Sequence, residues 1–291
     1  MKICRFNDNR IGLVEDGMVY DVTEVSALLP ALRWPLAPGD QLIAHLEGLK
    51  GRMQEIKGKI APVAIGSVTL LSPVANPSKI VAAPLNYQLH VAESAADSGI
   101  HNGVHLPGYD GYASPVAKFG VFLKSPSSIV GAGEGVRIAY PGRRNDHEVE
   151  LAVVIGRSCK DVARAQAFDV VAGYAIGLDM TVRGPEDRSY RKSADTYSVL
   201  GPYLVTRDEV ADPDALDFSI TVNGQPRQKA NTRDLITKVA ELIEVASHAY
   251  TLYPGDIIMT GTPEGVNSIE PGDTMHAWIE GIGEMDVAIR A

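Results

Sequence analysis

Residues 145–156 read NDHEVELAVVIG, and Glu148 and Glu150 bracket a valine at the mouth of an apolar run. In a strand, side chains at i and i+2 point to one face, so the two carboxylates project side by side within reach of one small ion. Adjacent carboxylates repel and raise each other's pKa unless a cation lies between them. An arbitrary Glu-x-Glu is more often a solvated strand face, but the LAVVI that follows argues for burial and shifts the reading toward a site. His147 alternates to the opposite face and is set aside as a ligand. A third carboxylate, Asp179, ends the apolar run VAGYAIGLD. Alone it would pass for a turn or capping residue. With the two glutamates it completes a set of three carboxylates and no soft donor, which suits Mg²⁺, with Mn²⁺ or Ca²⁺ as alternatives, rather than zinc.

Other residues have types suited to chemistry around such an ion. In LNYQLHVAE, His90 and Glu93 stand three apart, so on one helical turn they share a face. A carboxylate that orients an imidazole is the usual way to make histidine a general base, although most bare His-x-x-Glu pairs are solvated neighbours. Lys192, in RKSADTYSVLGP, would add positive charge where an oxyanion develops; the plain alternative is an exposed lysine. The turn TGTPEGV at 260–266 offers backbone N–H groups and the Thr262 hydroxyl to a carboxylate, or is only a turn. The stretch 94–118 has no periodicity and reads as a long loop, either a surface excursion or part of a pocket rim. It carries His101, His105, Tyr109 and Tyr112. The spacings of His90, His101 and His105 fit no familiar zinc pattern.

These groups need buried strands to hold them, and the chain supplies several. Strands are expected over 120–124, 148–156, 171–179, 201–206, 217–224, 256–261 and 274–283, with a tight turn at Asn223-Gly224. Helices are expected over 232–250, where Leu235, Ile236, Val239, Leu242, Ile243 and Ala246 recur every three or four residues, and over 161–167. Residues 1–22 read as a strand meander and 24–58 as loosely amphipathic helix. Pro73 and Pro77 then punctuate the chain, which places a small N-terminal domain over 1–75 and a larger β-dominated one over 76–291. The fold class is α+β.

Composition narrows the function. The 291 residues suit one large domain or a large one carrying a small one. A net charge of −9, with no basic cluster longer than Arg143-Arg144, argues against nucleic acid as a partner. No strand is followed by a Gly-x-Gly-x-x-Gly turn, and no phosphate loop appears, so a nucleotide cofactor is not expected. The two cysteines, Cys4 and Cys159, form no metal or redox spacing and suit a reducing compartment. With no signal-like N-terminus and no run of about 18 apolar residues, a cytoplasmic protein without a membrane span is expected.

Taken together, LNYQLHVAE, FLKSPSSIVG, DHEVELAVVIG, VAGYAIGLDMTVR, RKSADTYSVLGPYLV, VNGQPRQ and YPGDIIMTGTPEGV resemble the fumarylacetoacetate hydrolase family over roughly residues 79–287. The resemblance implies a mixed β-roll preceded by a small α/β domain, and a homodimer. It implies Glu148, Glu150 and Asp179 as metal ligands, and His90 and Glu93 as a catalytic dyad on a lid segment. It implies Lys192 beside the metal, with Arg183 and Thr262 meeting the substrate. The implied reaction is metal-dependent hydrolysis of a C–C bond in a 1,3-dicarbonyl acid such as an acylpyruvate, in the breakdown of aromatic compounds. Decarboxylation, isomerisation or hydration of a 2-oxo acid at the same site is the alternative. Two departures touch the pocket rim: AAPLNY, where a glycine commonly precedes LNY, and a longer 94–118 stretch.

Overall fold

The computed structural model describes residues 1–101 and 109–291; His105 falls outside the described residues. Among these, a mixed sheet of twelve strands forms the spine. At its centre Ser198–Thr206, Val171–Asp179 and Val149–Ile155 lie side by side and antiparallel. Ile257–Met259 follows antiparallel, then Ile80–Ala82 parallel to it, with Phe122–Lys124 next. Every residue of Val149–Ile155 and of Val171–Asp179 is buried. Both faces of these strands are covered, which is why the sequence shows unbroken apolar runs and not alternation.

The two faces pack different partners. Val149, Leu151, Val153 and Ile155 join a cluster with Phe218, Ile220, Met275 and Ala277. Those four belong to a five-stranded sheet ordered Gln225–Asn231, Asp217–Val222, Thr274–Ile279, Gly283–Arg290 and Val136–Arg137. Ala152 and Val154 point the other way, toward Leu42, Ile43, Leu46 and Met53 of the helix Gln41–Lys57. Asp40 caps that helix, its Oδ1 accepting from the Ile43 N–H at 3.1 Å. The N-terminal meander Lys2–Phe6, Arg10–Glu15 and Met18–Asp21 continues the main sheet, because Lys2 and Ile3 pair with Val205 and Leu204. Residues 1–75 thus contribute strands to the same sheet that carries the larger unit. Among the described residues, no helix is long and apolar enough to cross a membrane.

Several elements differ from the sequence reading: 24–58 holds only a 3-10 segment, Thr23–Leu28, and the helix Gln41–Lys57, and the stretch 94–118 includes the short helices Ser98–His101 and Pro115–Phe119. The helix expected from Thr232 begins only at Val239, after a short 3-10 turn over Thr232–Asp234. In between, Leu235 bridges Tyr87, Ile236 N–H donates to Asn86 O, and Thr237 N–H donates to Asn86 Oδ1. Extended pairing therefore overrides helical periodicity there. The helix expected over 161–167 is a 3-10 segment at Arg164–Val170. The Asn223-Gly224 turn is as expected, both residues lying in the left-handed region between paired strands.

Asn86 is fully buried, and it ties three segments together. Its Nδ2 donates to the carbonyls of Thr237 and Thr260, at 2.8 Å each, and its Oδ1 accepts from Thr237 N–H at 2.7 Å. Leu85, the residue before it, sits at φ +47, a conformation that costs a non-glycine residue about 1 kcal/mol or more. Asn86→Ala would strand three buried backbone groups, so we expect a loss of about 2–4 kcal/mol in urea unfolding. A loss within experimental error would show that the tie is dispensable.

Candidate active site

The sheet register decides where the carboxylates meet. Val149 lies opposite Leu178 and Glu150 opposite Gly177, and the ladder continues with Asp179 N–H donating to Glu148 O at 2.9 Å. Glu148 is therefore opposite Asp179, and both share a face with Glu150. One carboxylate oxygen from each lies within 4.8 Å of the other two. Glu148 is 5 % exposed, Glu150 and Asp179 1 % each, so water does not screen them.

Protein cations offset part of this charge. Lys192 Nζ donates to Glu148 Oε2 at 2.6 Å, to Asp179 Oδ2 at 2.7 Å and to Thr181 Oγ1 at 2.6 Å. It is delivered by the short helix Arg188–Lys192, whose N-cap is Asp187. Arg183 bridges Asp146 and Glu148, through Nε and Nη2, at 2.8 Å each. For Glu148, burial pushes the pKa up, but Lys192 and then Arg183 more than reverse this and hold it well below the ordinary carboxylate range. Glu150 differs. It makes no ion pair among the described residues and accepts only the Gly261 N–H, at 2.6 Å. Burial first, then the charges of Asp179 and Glu148, raise its pKa well above the usual value. A hard divalent cation between the three is the charge this donor set lacks, so the residues fit such an ion.

The turn after the strand Ile257–Met259 completes the cradle. Gly261 sits at φ +99, and a Cβ there would lie 2.6 Å from the Asn86 Cβ, so only glycine brings this N–H to Glu150. The Thr262 hydroxyl donates to Val149 O at 2.9 Å and accepts from Gln228 Nε2 at 2.8 Å. Thr262 lines the cleft, yet its hydroxyl already serves the sheet. Arg183 also lines the cleft while clamping Glu148. The sequence reading assigned both to substrate; in this structure each is engaged with protein groups.

His90 and Glu93 come from the helix Gln88–Ala96, on its buried side. His90 Nδ1 lies 2.8 Å from Glu93 Oε2, and Glu93 Oε1 accepts from Gly265 N–H at 2.9 Å. His90 opens onto the same cleft as Glu148, Glu150 and Lys192. The structure thus places His90, Glu148, Glu150 and Lys192 on one cleft, with Glu93 bound to His90 and Asp179 to Lys192. His147 points away, its Nδ1 lying 3.1 Å from Gln228 Oε1.

Several participants escaped the sequence reading. Lys124, fully buried, donates to Asp179 Oδ1 and to Tyr197 O, and burial lowers its pKa despite the carboxylate. Its signal was a lysine closing the apolar FLK of a strand. Asp146, fully buried between Arg144 and Arg183, holds the Glu148 clamp in place. Arg188 and Arg191 line the cleft; Arg191 opens the RKSADTYSVLGP segment, where only Lys192 was singled out, and Arg188 lies in no quoted motif.

Residues 79–290 match the model of the fumarylacetoacetate (FAA) hydrolase C-terminal family. The chain is similar to a maleylpyruvate hydrolase of Aquipseudomonas alcaligenes, 54 % identical over 291 residues and covering all of both chains. It is also similar to a maleylpyruvate hydrolase of Sphingobium sp. SYK-6 solved with manganese(II) and pyruvate. That likeness has a TM-score of 0.83 and 38 % identity, covering 100 % of this chain and 99 % of the other. A 5-carboxymethyl-2-hydroxymuconate delta-isomerase from Mycobacterium smegmatis aligns with a TM-score of 0.70 and 30 % identity, over 100 % and 98 % of the two chains.

Because the pKa of Glu150 is raised, the metal-free site holds a proton below that value, and a divalent cation must displace it. Affinity should therefore fall as pH drops through the raised pKa, by up to about tenfold per pH unit for each proton displaced. Calorimetry in buffers of different ionisation enthalpy should register the proton, and Glu150→Gln should abolish its release. Binding independent of pH and buffer would contradict this origin for the site's chemistry.

Proposed function

The chain belongs to the fumarylacetoacetate hydrolase family, and on that premise we propose that it hydrolyses maleylpyruvate or a close acylpyruvate, with Mg²⁺ as the working metal. It is a divalent-metal-dependent hydrolase of C–C bonds in 1,3-dicarbonyl acids, an activity of aromatic catabolism. The observation that carries the finer reading is the convergence of His90, held by Glu93, on the cleft lined by Glu148 and Glu150, with which Asp179 clusters.

When bound, a divalent cation supplies Lewis-acid polarisation of the 2-oxo-carboxylate end of the substrate. Glu148, Glu150 and Asp179 would hold it. Glu93 fixes His90 through Nδ1, so the proton that the imidazole takes from water goes to Nε2. The hydroxide so formed adds to the distal carbonyl, the bond between that carbon and the methylene breaks, and the electron pair leaves with the pyruvate fragment. Lys192 places an ammonium beside Glu148 and Asp179, where negative charge grows on the departing fragment. The proton on His90 is then delivered to the former methylene carbon, which becomes the methyl group of pyruvate, and the acyl fragment leaves as the free acid. Arg183 acts here through Glu148, by keeping it ionised and aimed, and Thr262 by fixing the edge of the strand that bears both glutamates.

The all-oxygen donor set supports Mg²⁺ over softer metals. The two unbridged thiols, Cys4 and Cys159, support a cytoplasmic setting. A homodimer rests on the family resemblance. The similarity to an isomerase keeps a second chemistry in view, since proton transfer to and from a 2-oxo acid would use the same base and the same metal.

Incubation of the Mg²⁺-loaded enzyme with maleylpyruvate should give pyruvate and maleate in equal amounts, and EDTA should stop the reaction. His90→Gln should lower kcat by roughly 10²–10⁴-fold. Isomer or CO₂ without the second acid would sink hydrolysis and favour the alternative.

A further inference from the structure

Most of the lysines and arginines in and around the cleft are answered by a carboxylate among the described residues. Lys192 has Glu148 and Asp179, Lys124 has Asp179, and Arg183 has Asp146 and Glu148. Further out, Arg143 pairs with Glu186, and Arg144 with Asp97 and Asp146. Two guanidiniums on the helix Arg188–Lys192 break the pattern. Arg191 is only 5 % exposed, donates through Nε to Glu186 O at 2.9 Å, and has a buried Nη1 with no hydrogen-bond partner. Arg188, half-buried, forms no ion pair or hydrogen bond among the described residues and rests on the faces of Phe119 and Phe122, at 5.9 and 5.3 Å. Both line the cleft that also holds His90, Glu148 and Lys192.

Leaving a buried guanidinium nitrogen unpaired is costly, and placing a second guanidinium near it adds repulsion. Burial lowers the pKa of both arginines, and Arg191 is the next largest influence on Arg188. An anion from outside the chain would answer both costs at once, and the planar fork of arginine suits a carboxylate best. The 2-oxo-carboxylate end of an acylpyruvate has the metal and Lys192 to receive it. Two further positive charges exceed what that end requires.

We infer that Arg188 and Arg191 form a subsite for a second carboxylate, carried at the far end of the acyl group, and so select dicarboxylic acylpyruvates over those with a neutral acyl chain. This rests on the acylpyruvate hydrolase reading and adds the recognition of the acyl end. The roles are those of specificity residues that touch the substrate at a distance from the bond that breaks. Maleylpyruvate, with a carboxylate across a cis double bond, belongs to the selected class; acetylpyruvate, ending in a methyl group, does not.

The test compares kcat/KM for maleylpyruvate and acetylpyruvate with the Mg²⁺-loaded wild type, Arg191→Met, Arg191→Lys and Arg188→Gln. The wild type should prefer the dicarboxylate, and in Arg191→Met that preference ratio should fall by about 30-fold or more. Arg188→Gln should lower it in the same direction. Arg191→Lys, which keeps the charge but not the fork, should lower it less. Competitive inhibition by maleate should weaken in parallel, whereas inhibition by the monoacid acrylate should not. Using a ratio keeps a general loss of folded enzyme from imitating the effect. A wild type without preference, or equal losses on both substrates, would overturn the inference and assign the arginines to the shared carboxylate or to packing. If the wild type cleaves neither compound, the hydrolase reading fails. The subsite is then decided by titration: maleate bound no more tightly than acrylate overturns it, and tighter binding lost in Arg191→Met upholds it.

Discussion

Three carboxylates forced into one buried space are the constraint from which the rest of the site follows. Charges at such separations in a low-dielectric interior repel strongly, and a buried charge with no partner destabilises the fold by several kcal/mol. Lys192, Lys124 and Arg183 relieve two of the three, but they are themselves buried and needed bringing in on separate elements. Glu150 has no such cation among the described residues, and the one hydrogen bond it accepts there comes from a backbone N–H. The protein thus compensates enough charge to fold and leaves enough uncompensated to demand a divalent cation.

The sheet is what makes that concentration of charge geometrically exact to within a residue. A one-residue slip between Val149–Ile155 and Val171–Asp179 would put Glu148 and Glu150 on the opposite face from Asp179 and would exchange the side chains that pack against the two covering layers. The packing that resists the slip lies away from the cleft, where Val149, Leu151 and Val153 meet the five-stranded sheet and Ala152 and Val154 meet the N-terminal helix cluster. Core and site are therefore one constraint: the residues that bury the strand also fix the direction of its carboxylates.

This explains which parts of the molecule could be read from the sequence. Period-two logic placed Glu148 and Glu150 on one face and His147 on the other because strand alternation is local and the run was long. The His90–Glu93 pair was legible for the same reason, as a local helical spacing. Long-range pairing was not. Leu235 to Thr237 look helical in sequence but are claimed by Asn86 and Tyr87, some 150 positions away. Lys124 reaches Asp179 across 55 residues, and Arg183, which lines the cleft, also clamps Glu148. Thr262 likewise spends its hydroxyl on Val149 O. Spacing reports what shares a turn or a strand; it carries no information on which cation answers which carboxylate.

One turn links the two halves of the chemistry. In TGTPEGV, Gly261 N–H holds Glu150, the Thr262 hydroxyl holds Val149 O between the two glutamates, and Gly265 N–H holds Glu93 behind His90. Gly265 is at φ +92, with the position of a Cβ only 2.1 Å from Arg227 O, so that turn admits no side chain at the point where it meets Glu93. The carboxylates proposed to hold the metal and the histidine proposed as base are consequently referenced to the same few backbone atoms. The helix Gln88–Ala96 is held at this turn through the Glu93 side chain, and at its start through Asn86. The alignment of His90 with the three carboxylates therefore runs through the Gly265–Glu93 hydrogen bond and a turn whose shape only glycine allows.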